Sequence, residues 1–329
     1  FAVSARQTYD DKVHKIRYRK VFREKSLMFI VIGGATASGK SGLAIEVAKR
    51  TDGEIIGADS MQIYKKMDVG TAKVTEEETQ GVVHHLIDVV EPNETFSVAQ
   101  YEKLAKTAIK DIENRGKTPI VCGGTGLYIN SLIYDYQMSA YDPKLRENLM
   151  RELDEKGLDY MYEKLLKLDP LAENIHKNNV KRVIRALEVY LTEGKSVLDK
   201  NDKASTVPHL MYAVDMPREV LYERINLRVD KMFADGLEDE VNSLIENEKL
   251  TFDMQSMQAI GYKEFNGYLN GEYDKNTLKE LIKQHSRNYA KRQITWFKRI
   301  DSCKWLNCTE NNDFVTQIAN DYYKNVTKI

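Results

Sequence analysis

Short apolar runs and helical patterns alternate along the first third of the chain. The apolar runs end at glycines or polar residues, and the helical stretches carry apolar positions three and four residues apart. Strands are predicted at Met28–Ile32, Gly53–Ala58, residues 84–90 and Thr118–Cys122, and helices at Leu43–Lys49 and Phe96–Arg115. This alternation predicts an α/β fold with a doubly wound parallel sheet.

Charged helical stretches replace the strand signals from about residue 138 to about residue 207. They are predicted at Asp142–Lys156, Asp159–Leu168 and Asn178–Thr192. A strand pattern returns at His209–Asp215, and helices are predicted at Pro217–Ala234 and over residues 275–299 and 313–326. We therefore expect an α/β core formed by residues 28–137 and 208–329, with an all-helical insertion domain at residues 138–207.

The turn after the first strand has the spacing G-x-x-x-x-G-K-[ST], so the core is predicted to be P-loop NTPase-like. Such a turn suits a polyphosphate, because its backbone N–H groups point inward and the following helix adds the positive end of its dipole. The lysine reaches phosphate oxygens, and the hydroxyl after it binds magnesium. The candidate phosphate-binding residues are Gly34, Ala35, Thr36, Ala37, Ser38, Gly39, Lys40 and Ser41, with Ser41 as the magnesium ligand.

The composition narrows the possible classes of protein. The formal net charge is −1, and the three cysteines fit neither a disulfide framework nor a zinc-ligand pattern. No apolar run approaches the roughly 18 residues of a membrane span, so we expect a soluble, cytoplasmic protein. Residues 1–27 carry eight Lys or Arg against three acids, and we interpret them as a tag or a disordered basic tail.

Polar residues follow the other predicted strands. Asp59 follows the second strand, where ligands of open α/β sheets bind, and its carboxylate could be a general base, a metal ligand or a helix N-cap. The Gly123–Gly126 turn follows the fourth strand and either lets a substrate approach the backbone or simply reverses the chain. Arg224 and Arg228 lie one helical turn apart and could clamp an anion or face solvent.

Two predicted helices combine basic residues with apolar or aromatic ones. Lys181, Arg182 and Arg185 lie on the helix predicted at residues 178–192, and Arg146 lies on the first helix of the insertion. Seven Lys or Arg and one acid lie between residues 279 and 299, beside Tyr289, Trp296 and Phe297. Such patterns suit an RNA backbone and its bases, but they are also typical of solvated helix faces.

Seven segments together resemble the tRNA dimethylallyltransferase family, in its order and spacing, from about residue 28 to about residue 306. They are Gly34–Ser41, Gly57–Tyr64, Met67–Lys73, His84–Asp88, Gly123–Tyr128, Arg182–Tyr190 and Ala290–Trp296. The resemblance is to the bacterial type, since the zinc finger of eukaryotic relatives is absent from this sequence. Two positions depart from the family: Ala35 replaces a frequent proline, and Lys181 replaces Gln or Arg and loses planar bidentate geometry.

The resemblance implies transfer of a dimethylallyl group from dimethylallyl diphosphate to the exocyclic amine of the adenine 3′-adjacent to the tRNA anticodon. It implies that Asp59 takes the amine proton, that Thr36 and Arg228 hold the departing diphosphate with magnesium, and that the chain acts as a monomer. A diphosphate also explains why glycines follow the fourth strand, where kinase-like proteins carry an acid. The tRNA-binding residues implied are Asp59, Ser60, Met61, Gln62, Thr125, Arg146, Lys181, Arg182, Arg185, Lys291, Arg292 and Gln293.

Three other functions fit part of the pattern. An adenylate isopentenyltransferase would share the core and the chemistry but act on free nucleotides, and the basic helices favour a polynucleotide instead. A P-loop nucleoside kinase is favoured by the phosphate loop alone. A non-catalytic RNA-binding module would not need the Asp59 carboxylate.

Overall fold

The computed structural model of the chain describes residues 28–134, 142–198, 207–310 and 312–326. Residues 1–27, which we interpreted as a tag or a basic tail, lie outside these ranges. So does the predicted boundary between the core and the insertion domain at residues 137 and 138. The described residues divide into two compact units. The first comprises residues 28–134 with those after residue 206, and the second comprises residues 142–198.

A six-stranded, all-parallel sheet forms the centre of the first unit, with the strand order β3-β2-β4-β1-β5-β6. The strands are β1 (Phe29–Gly34), β2 (Gly53–Ala58), β3 (His84–His85), β4 (Thr118–Gly123), β5 (His209–Asp215) and β6 (Cys303–Asn307). The predicted α/β fold with a parallel sheet is confirmed. The edge strand β6 was not predicted, because only Leu306 of its five residues is buried and the apolar alternation is weak.

Strand β1 shows how the sequence pattern builds two cores. Its side chains alternate between the faces of the sheet, so Phe29 and Val31 pack in one apolar cluster while Ile30 and Ile32 pack in another. All four are at most 1% exposed. A strand buried on both faces needs a continuous apolar run, and this is the run that the sequence shows.

Helices cover both faces of this sheet. The helices of this unit are α1 (Lys40–Thr51), α2 (Glu76–Thr79), α3 (Val98–Asn114), α4 (Gly126–Ile133), α7 (Arg218–Ala234), α8 (Leu237–Glu246), α9 (Phe265–Leu269), α10 (Lys275–Phe297) and α11 (Phe314–Val326), with a 3₁₀ turn at Ser256–Gln258. Helices α2, α4, α8 and α9 were not predicted. None of the helices in the described ranges is long and apolar enough to cross a lipid bilayer.

The second unit is helical throughout its described residues. It contains α5 (Pro143–Leu168), a 3₁₀ turn at Pro170–Asn174 and α6 (Val180–Glu193). Gly157 has φ 80° and interrupts α5, so the two helices predicted on either side of it are both present. The apolar stripe of α6, including Val183 and Leu187, is buried in a separate small core. The predicted all-helical insertion is confirmed for this part of the chain.

Candidate functional site

The carboxyl ends of the parallel strands bring the candidate residues of the first unit to one edge of the sheet. The phosphate loop follows β1, Asp59 follows β2, and Thr125 follows β4. Since β1 and β2 both pair with β4, these three segments are neighbours. Helix α7 follows β5 on the other side of β1 and carries Arg228. Ligands of open α/β sheets bind at this edge.

The phosphate loop has the backbone conformation that its glycines permit. Gly39 has φ 89°, a left-handed conformation that favours glycine, and it precedes the first turn of α1. Lys40 Nζ donates to the carbonyl oxygen of Ala35 at 3.1 Å, so the lysine folds back over the loop. The buried hydroxyl of Ser38 has no hydrogen-bond partner among the described residues.

A cavity of about 290 Å³ lies beside this loop. Part of its lining is apolar: Ile225, Val229, Met232, Ala259, Ile260 and Ile282. The polar part includes Thr36, Asp59, Thr71, Arg228, Tyr289 and Arg292. A cavity with an apolar part and a charged part suits a ligand that has a short hydrocarbon chain and an anionic end.

Asp59 caps a turn with one carboxylate oxygen and lines the cavity. Its Oδ1 accepts the N–H of Met61 at 2.9 Å. The N–H of Ser60 donates to Thr125 Oγ1 at 3.0 Å, which ties this turn to the one after β4. No helix begins at Asp59, so its carboxylate is not a helix N-cap.

Two cations, Lys40 and Arg228, interact electrostatically with Asp59 and with each other. Burial lowers the pKa of Lys40, and the neighbouring Arg228 lowers it further, against the raising effects of Cys122 and Asp59. Burial also lowers the pKa of Arg228, and the charge of Asp59 opposes this shift. Two like charges held together in a partly buried site form a place where an anionic ligand relieves repulsion.

Arg228 is held in place by a backbone carbonyl group that borders the cavity. Its Nη2 donates to the carbonyl oxygen of Thr71 at 3.0 Å. Gln62 Nε2 donates to the same oxygen at 3.1 Å and to the carbonyl of Ala72 at 3.2 Å. The Gln62 amide, expected to contact tRNA, is therefore bonded within the chain. Arg224 is exposed and lies nearer to Gly39 at the phosphate loop.

Gln293 bridges two loops of the site. Its Oε1 accepts the N–H of Thr36 at 2.9 Å, and its Nε2 donates to the carbonyl oxygen of Gly124 at 3.0 Å. The side chain is 5% exposed. The Gln293 amide thus joins the phosphate loop to the turn after β4, whereas the family resemblance implied a direct contact of this residue with tRNA. Its neighbours Lys291 and Arg292 are exposed on α10.

Tyr289 belongs to the site but is absent from the predicted site residues. Burial raises its pKa to about 12, and the charge of Asp59 raises it as well, while hydrogen bonds to Thr125 and Gln293 act in the opposite direction. The guanidinium of Arg292 lies 5.5 Å from the centroid of its ring. Tyr289 precedes Gln293 by one helical turn, and this spacing was the signal available in the sequence.

The residues present fit magnesium only if a ligand supplies further oxygens. Ser41 lies exposed in the first turn of α1, directly after Lys40. Its hydroxyl is a ligand that magnesium accepts, and magnesium bound by one or two protein oxygens completes its shell with water and substrate phosphates. The protein oxygens here therefore suit a magnesium ion that also binds phosphate oxygens of a ligand. They do not suit an ion bound by protein ligands alone.

The candidate cations of the second unit fall into two groups. Arg146 Nη1 and Arg185 Nη1 lie 2.7 and 3.2 Å from the two carboxylate oxygens of Glu188, which is 4% exposed. Lys181 and Arg182 are exposed near the start of α6. A buried carboxylate that binds two guanidiniums restricts the conformations of both arginine side chains.

Known proteins resemble this chain over most of its length. The sequence profile described as IPP transferase matches residues 62–300. The tRNA dimethylallyltransferase of Caldanaerobacter subterraneus subsp. tengcongensis is 49% identical over 292 residues, which cover 85% of this chain and 92% of that protein. The tRNA dimethylallyltransferase of Clostridioides difficile is 50% identical over 291 residues, which cover 86% of this chain and 92% of that protein.

Solved structures agree with these sequence relatives. The full-length tRNA isopentenylpyrophosphate transferase of Bacillus halodurans superposes with a TM-score of 0.69 at 39% identity, covering 92% of this chain and 98% of that one. A eukaryotic dimethylallyltransferase acting on tRNA superposes with a TM-score of 0.80 at 31% identity, covering 91% of this chain and 80% of that one. The chain therefore belongs to the IPP transferase family, together with these tRNA dimethylallyltransferases.

Proposed function

We propose that this protein transfers a dimethylallyl group from dimethylallyl diphosphate to the exocyclic amine of the adenine 3′-adjacent to the tRNA anticodon. A bond forms between the amine nitrogen and the allylic carbon, the carbon–oxygen bond to the diphosphate breaks, and the amine loses a proton. The observation that carries the proposal is the placement of Asp59, Arg228 and the phosphate loop around one cavity. A carboxylate that can accept a proton and a cation that can bind an anion both line this cavity.

The phosphate loop and two cations hold the leaving group. Thr36, Lys40 and Arg228 supply donors and positive charge to the diphosphate, where negative charge increases as the carbon–oxygen bond breaks. Stabilisation of such developing charge by fixed donors is the largest electrostatic contribution to catalysis, and loss of one donor typically costs about 3–4 kcal/mol. Magnesium, when bound, would neutralise part of the same charge, and Ser41 is the residue that would hold it.

Asp59 acts on the nucleophile. An adenine amine is a poor nucleophile because its lone pair is delocalised into the ring, so removal of its proton during attack raises the rate. A positioned general base typically contributes about 10²–10⁴-fold. The Met61 N–H binds this carboxylate, and Ser60, the residue after Asp59, binds Thr125. We assign these three residues to the adenine end of the cavity.

The apolar lining holds the hydrocarbon chain. Ile225 lies one turn before Arg228 on α7 and Val229 directly after it, so the helix that supplies a cation to the diphosphate also supplies apolar contacts to the five-carbon group. This arrangement orients the allylic carbon between the two charged ends. Exclusion of water there also protects the reactive carbon from hydrolysis.

Basic residues of both units bind the tRNA. Lys291 and Arg292 on α10, and Arg146, Lys181, Arg182 and Arg185 in the helical unit, carry the charge that phosphates of the anticodon stem-loop require. Gln62 and Gln293 act inside the protein, where they position the loops that touch the substrates. We also propose that the protein acts as a monomer in the cytoplasm.

The direct test is incubation with an anticodon stem-loop and dimethylallyl diphosphate, followed by mass analysis of the nucleosides. We expect the mass of one dimethylallyl group on the adenosine 3′ of the anticodon, together with release of diphosphate. A parallel reaction with free AMP separates the two substrate classes, since preference for AMP would indicate a nucleotide isopentenyltransferase. Phosphoryl transfer from ATP without prenyl transfer would contradict the proposal altogether.

A further inference from the structure

Glu240 accepts four hydrogen bonds, although it does not line the cavity. Its Oε2 accepts the backbone N–H groups of Asp68 and Val69 at 2.7 and 2.8 Å. Its Oε1 accepts the N–H of Gly70 at 3.1 Å and the hydroxyl of Tyr262 at 2.6 Å. A carboxylate that binds three successive backbone N–H groups fixes the conformation of that segment, because charge-assisted hydrogen bonds are the strong ones.

The segment held by Glu240 leads directly to the residue that anchors Arg228. Gly70 and Thr71 both line the cavity, and the carbonyl oxygen of Thr71 is the acceptor for Arg228. A Cβ atom on Gly70 would come within 2.5 Å of the Tyr262 ring, so the ring packs directly against the backbone of this segment. The loop is therefore bonded by Glu240 on one side and by Arg228 on the other.

A second anchor holds the end of the same loop. Lys73 is 6% exposed at its side chain, and its Nζ lies 2.5 Å from the carboxylates of Asp68 and Asp88 and 2.8 Å from the carbonyl oxygen of Tyr64. With both ends fixed, the position of the Thr71 carbonyl depends on the middle of the loop, where Glu240 binds. Removal of the carboxylate leaves three backbone N–H groups without their acceptor and frees this part of the loop.

We propose that Glu240 is a positioning residue for the diphosphate end of the site, acting through the Thr71 carbonyl on Arg228. This inference rests on the proposed function, in which Arg228 binds the diphosphate. It assigns a role to a carboxylate on α8, a helix that supplies no residue to the cavity. The effect of Glu240 on ligand binding should therefore depend on the presence of the Arg228 guanidinium.

A double-mutant cycle tests this dependence with inorganic diphosphate as the probe, measured by calorimetry in the presence of magnesium. In the unchanged background, Glu240→Ala should weaken binding about 10-fold, within the range of coupling between residues of one hydrogen-bond network. In the Arg228→Ala background the same change should alter binding less than about twofold. Equal weakening in both backgrounds, or no weakening in the first, would overturn the proposal.

Three further variants separate positioning from folding. Glu240→Gln keeps an acceptor for part of the loop, so it should fold normally and show a smaller loss of diphosphate affinity than Glu240→Ala. Tyr262→Phe removes one bond to Glu240 and leaves the backbone bonds, so its loss should be smaller still. Glu238→Gln is the matched control, since that carboxylate on the same helix binds Tyr268 and Lys275 and not the loop.

Kinetic constants of the Glu240 variants give a second readout. The KM for dimethylallyl diphosphate should rise about as much as the dissociation constant of diphosphate, while the KM for the stem-loop should change less than about twofold. An equal rise in both would show a general structural role and overturn the proposal. If the unchanged protein transfers no prenyl group at all, the proposed function fails, and the diphosphate cycle still decides the coupling between Glu240 and Arg228.

Discussion

The N–H of Thr36 donates to Gln293 Oε1 over 2.9 Å and joins the phosphate loop to the helix near the end of the fold. The other end of the same amide donates to Gly124, so one buried side chain sets the spacing between the loop that follows β1 and the turn that follows β4. These two segments carry the diphosphate end and the adenine end of the proposed reaction. Gln293 thus fixes their separation without needing to touch either substrate.

Replacement of Gln293 should lower turnover through this spacing. Gln293→Leu leaves the Thr36 N–H and the Gly124 carbonyl unpaired, and each buried unpaired group costs about 1–3 kcal/mol, so we expect kcat/KM to fall at least about 10-fold. Gln293→Glu keeps the acceptor for the Thr36 N–H but places a carboxylate oxygen against the Gly124 carbonyl oxygen. Its kcat/KM should fall by a similar factor. Thr295→Ala, an exposed change on the same helix, is the control. Wild-type turnover in Gln293→Leu would contradict the bridging role.

Asp59→Asn should abolish transfer with little change in diphosphate binding. The substitution preserves the shape of the side chain and an oxygen that can accept the Met61 N–H, so it removes the base without removing the turn. We expect the single-turnover rate to fall about 10²–10⁴-fold, as is typical for loss of a general base. Calorimetry with inorganic diphosphate measures whether the variant keeps its affinity for this ligand. Near-normal turnover of Asp59→Asn would refute the assignment of Asp59 as the base.

Arg228→Ala should damage both binding and turnover. The arginine contributes positive charge to the bound diphosphate and to the transition state, so loss of it should weaken diphosphate binding and also lower the rate at saturating substrate by about 10²-fold or more. Arg218→Ala is a suitable comparison, because Arg218 lies exposed on the same helix with its guanidinium over the Tyr222 ring. If Arg228→Ala changes only stability and leaves both constants intact, the leaving-group role is wrong.

Lys181→Ala and Arg182→Ala should weaken tRNA binding and leave the cavity unaffected. Each phosphate contact that is lost should reduce the slope of log affinity against log salt by about 0.7–0.9. Measurement of stem-loop and full-length tRNA binding at several salt concentrations gives this slope. The nearby exposed Lys177, 3.5 Å from Asp159, provides a charge-matched control in Lys177→Ala. An unchanged slope in both variants would exclude phosphate contacts at these positions.

Glu113→Gln should make the protein more stable at neutral pH. Burial raises the pKa of Glu113 to about 7 from its ordinary value of 4.5, against the effect of its bond to the Met28 N–H. The folded state therefore binds this proton more tightly than the unfolded state, and stability is lost as pH rises between these two values. Above pH 7 the free energy of unfolding of the variant should exceed that of the wild type by on the order of 1 kcal/mol. This value allows for solvent screening, since the group is partly exposed.

The measurement is chemical denaturation of Glu113→Gln and of the wild type at several pH values. The two should have similar free energies of unfolding below pH 4.5, and the difference should grow in favour of the variant up to about pH 7. A constant difference across this range would show that Glu113 titrates normally in the folded state.

The sequence predicted the parts of the fold that depend on local pattern. The apolar run of β1 and the glycine spacing after it are contained within fourteen consecutive residues from Met28 to Ser41, so the strand, the loop and the start of the helix could be read directly. The position of Asp59 followed from the rule that ligands bind at the carboxyl ends of parallel strands. These elements are also present in the structure where they were predicted.

The contacts that organise the site were not accessible in the same way. Glu240 binds Gly70 across a separation of 170 residues, and nothing in the residues around either one indicates the other. Gln62 and Gln293 resemble surface amides in the sequence, yet both bond to carbonyl groups inside the fold. Tyr289 is one aromatic among several on a basic helix. Only the packing of α8 and α10 against the loops shows which of these side chains face the site.

The bond between Thr36 and Gln293 spans 257 positions of the sequence, and this has a consequence for synthesis of the enzyme. The phosphate loop is translated long before α10, which carries the residue that holds its backbone. A nascent chain that stops before Lys275 contains the phosphate loop and Asp59 but lacks Gln293, Tyr289 and Arg292. We therefore expect prenyl transfer to begin only after the ribosome has synthesised α10.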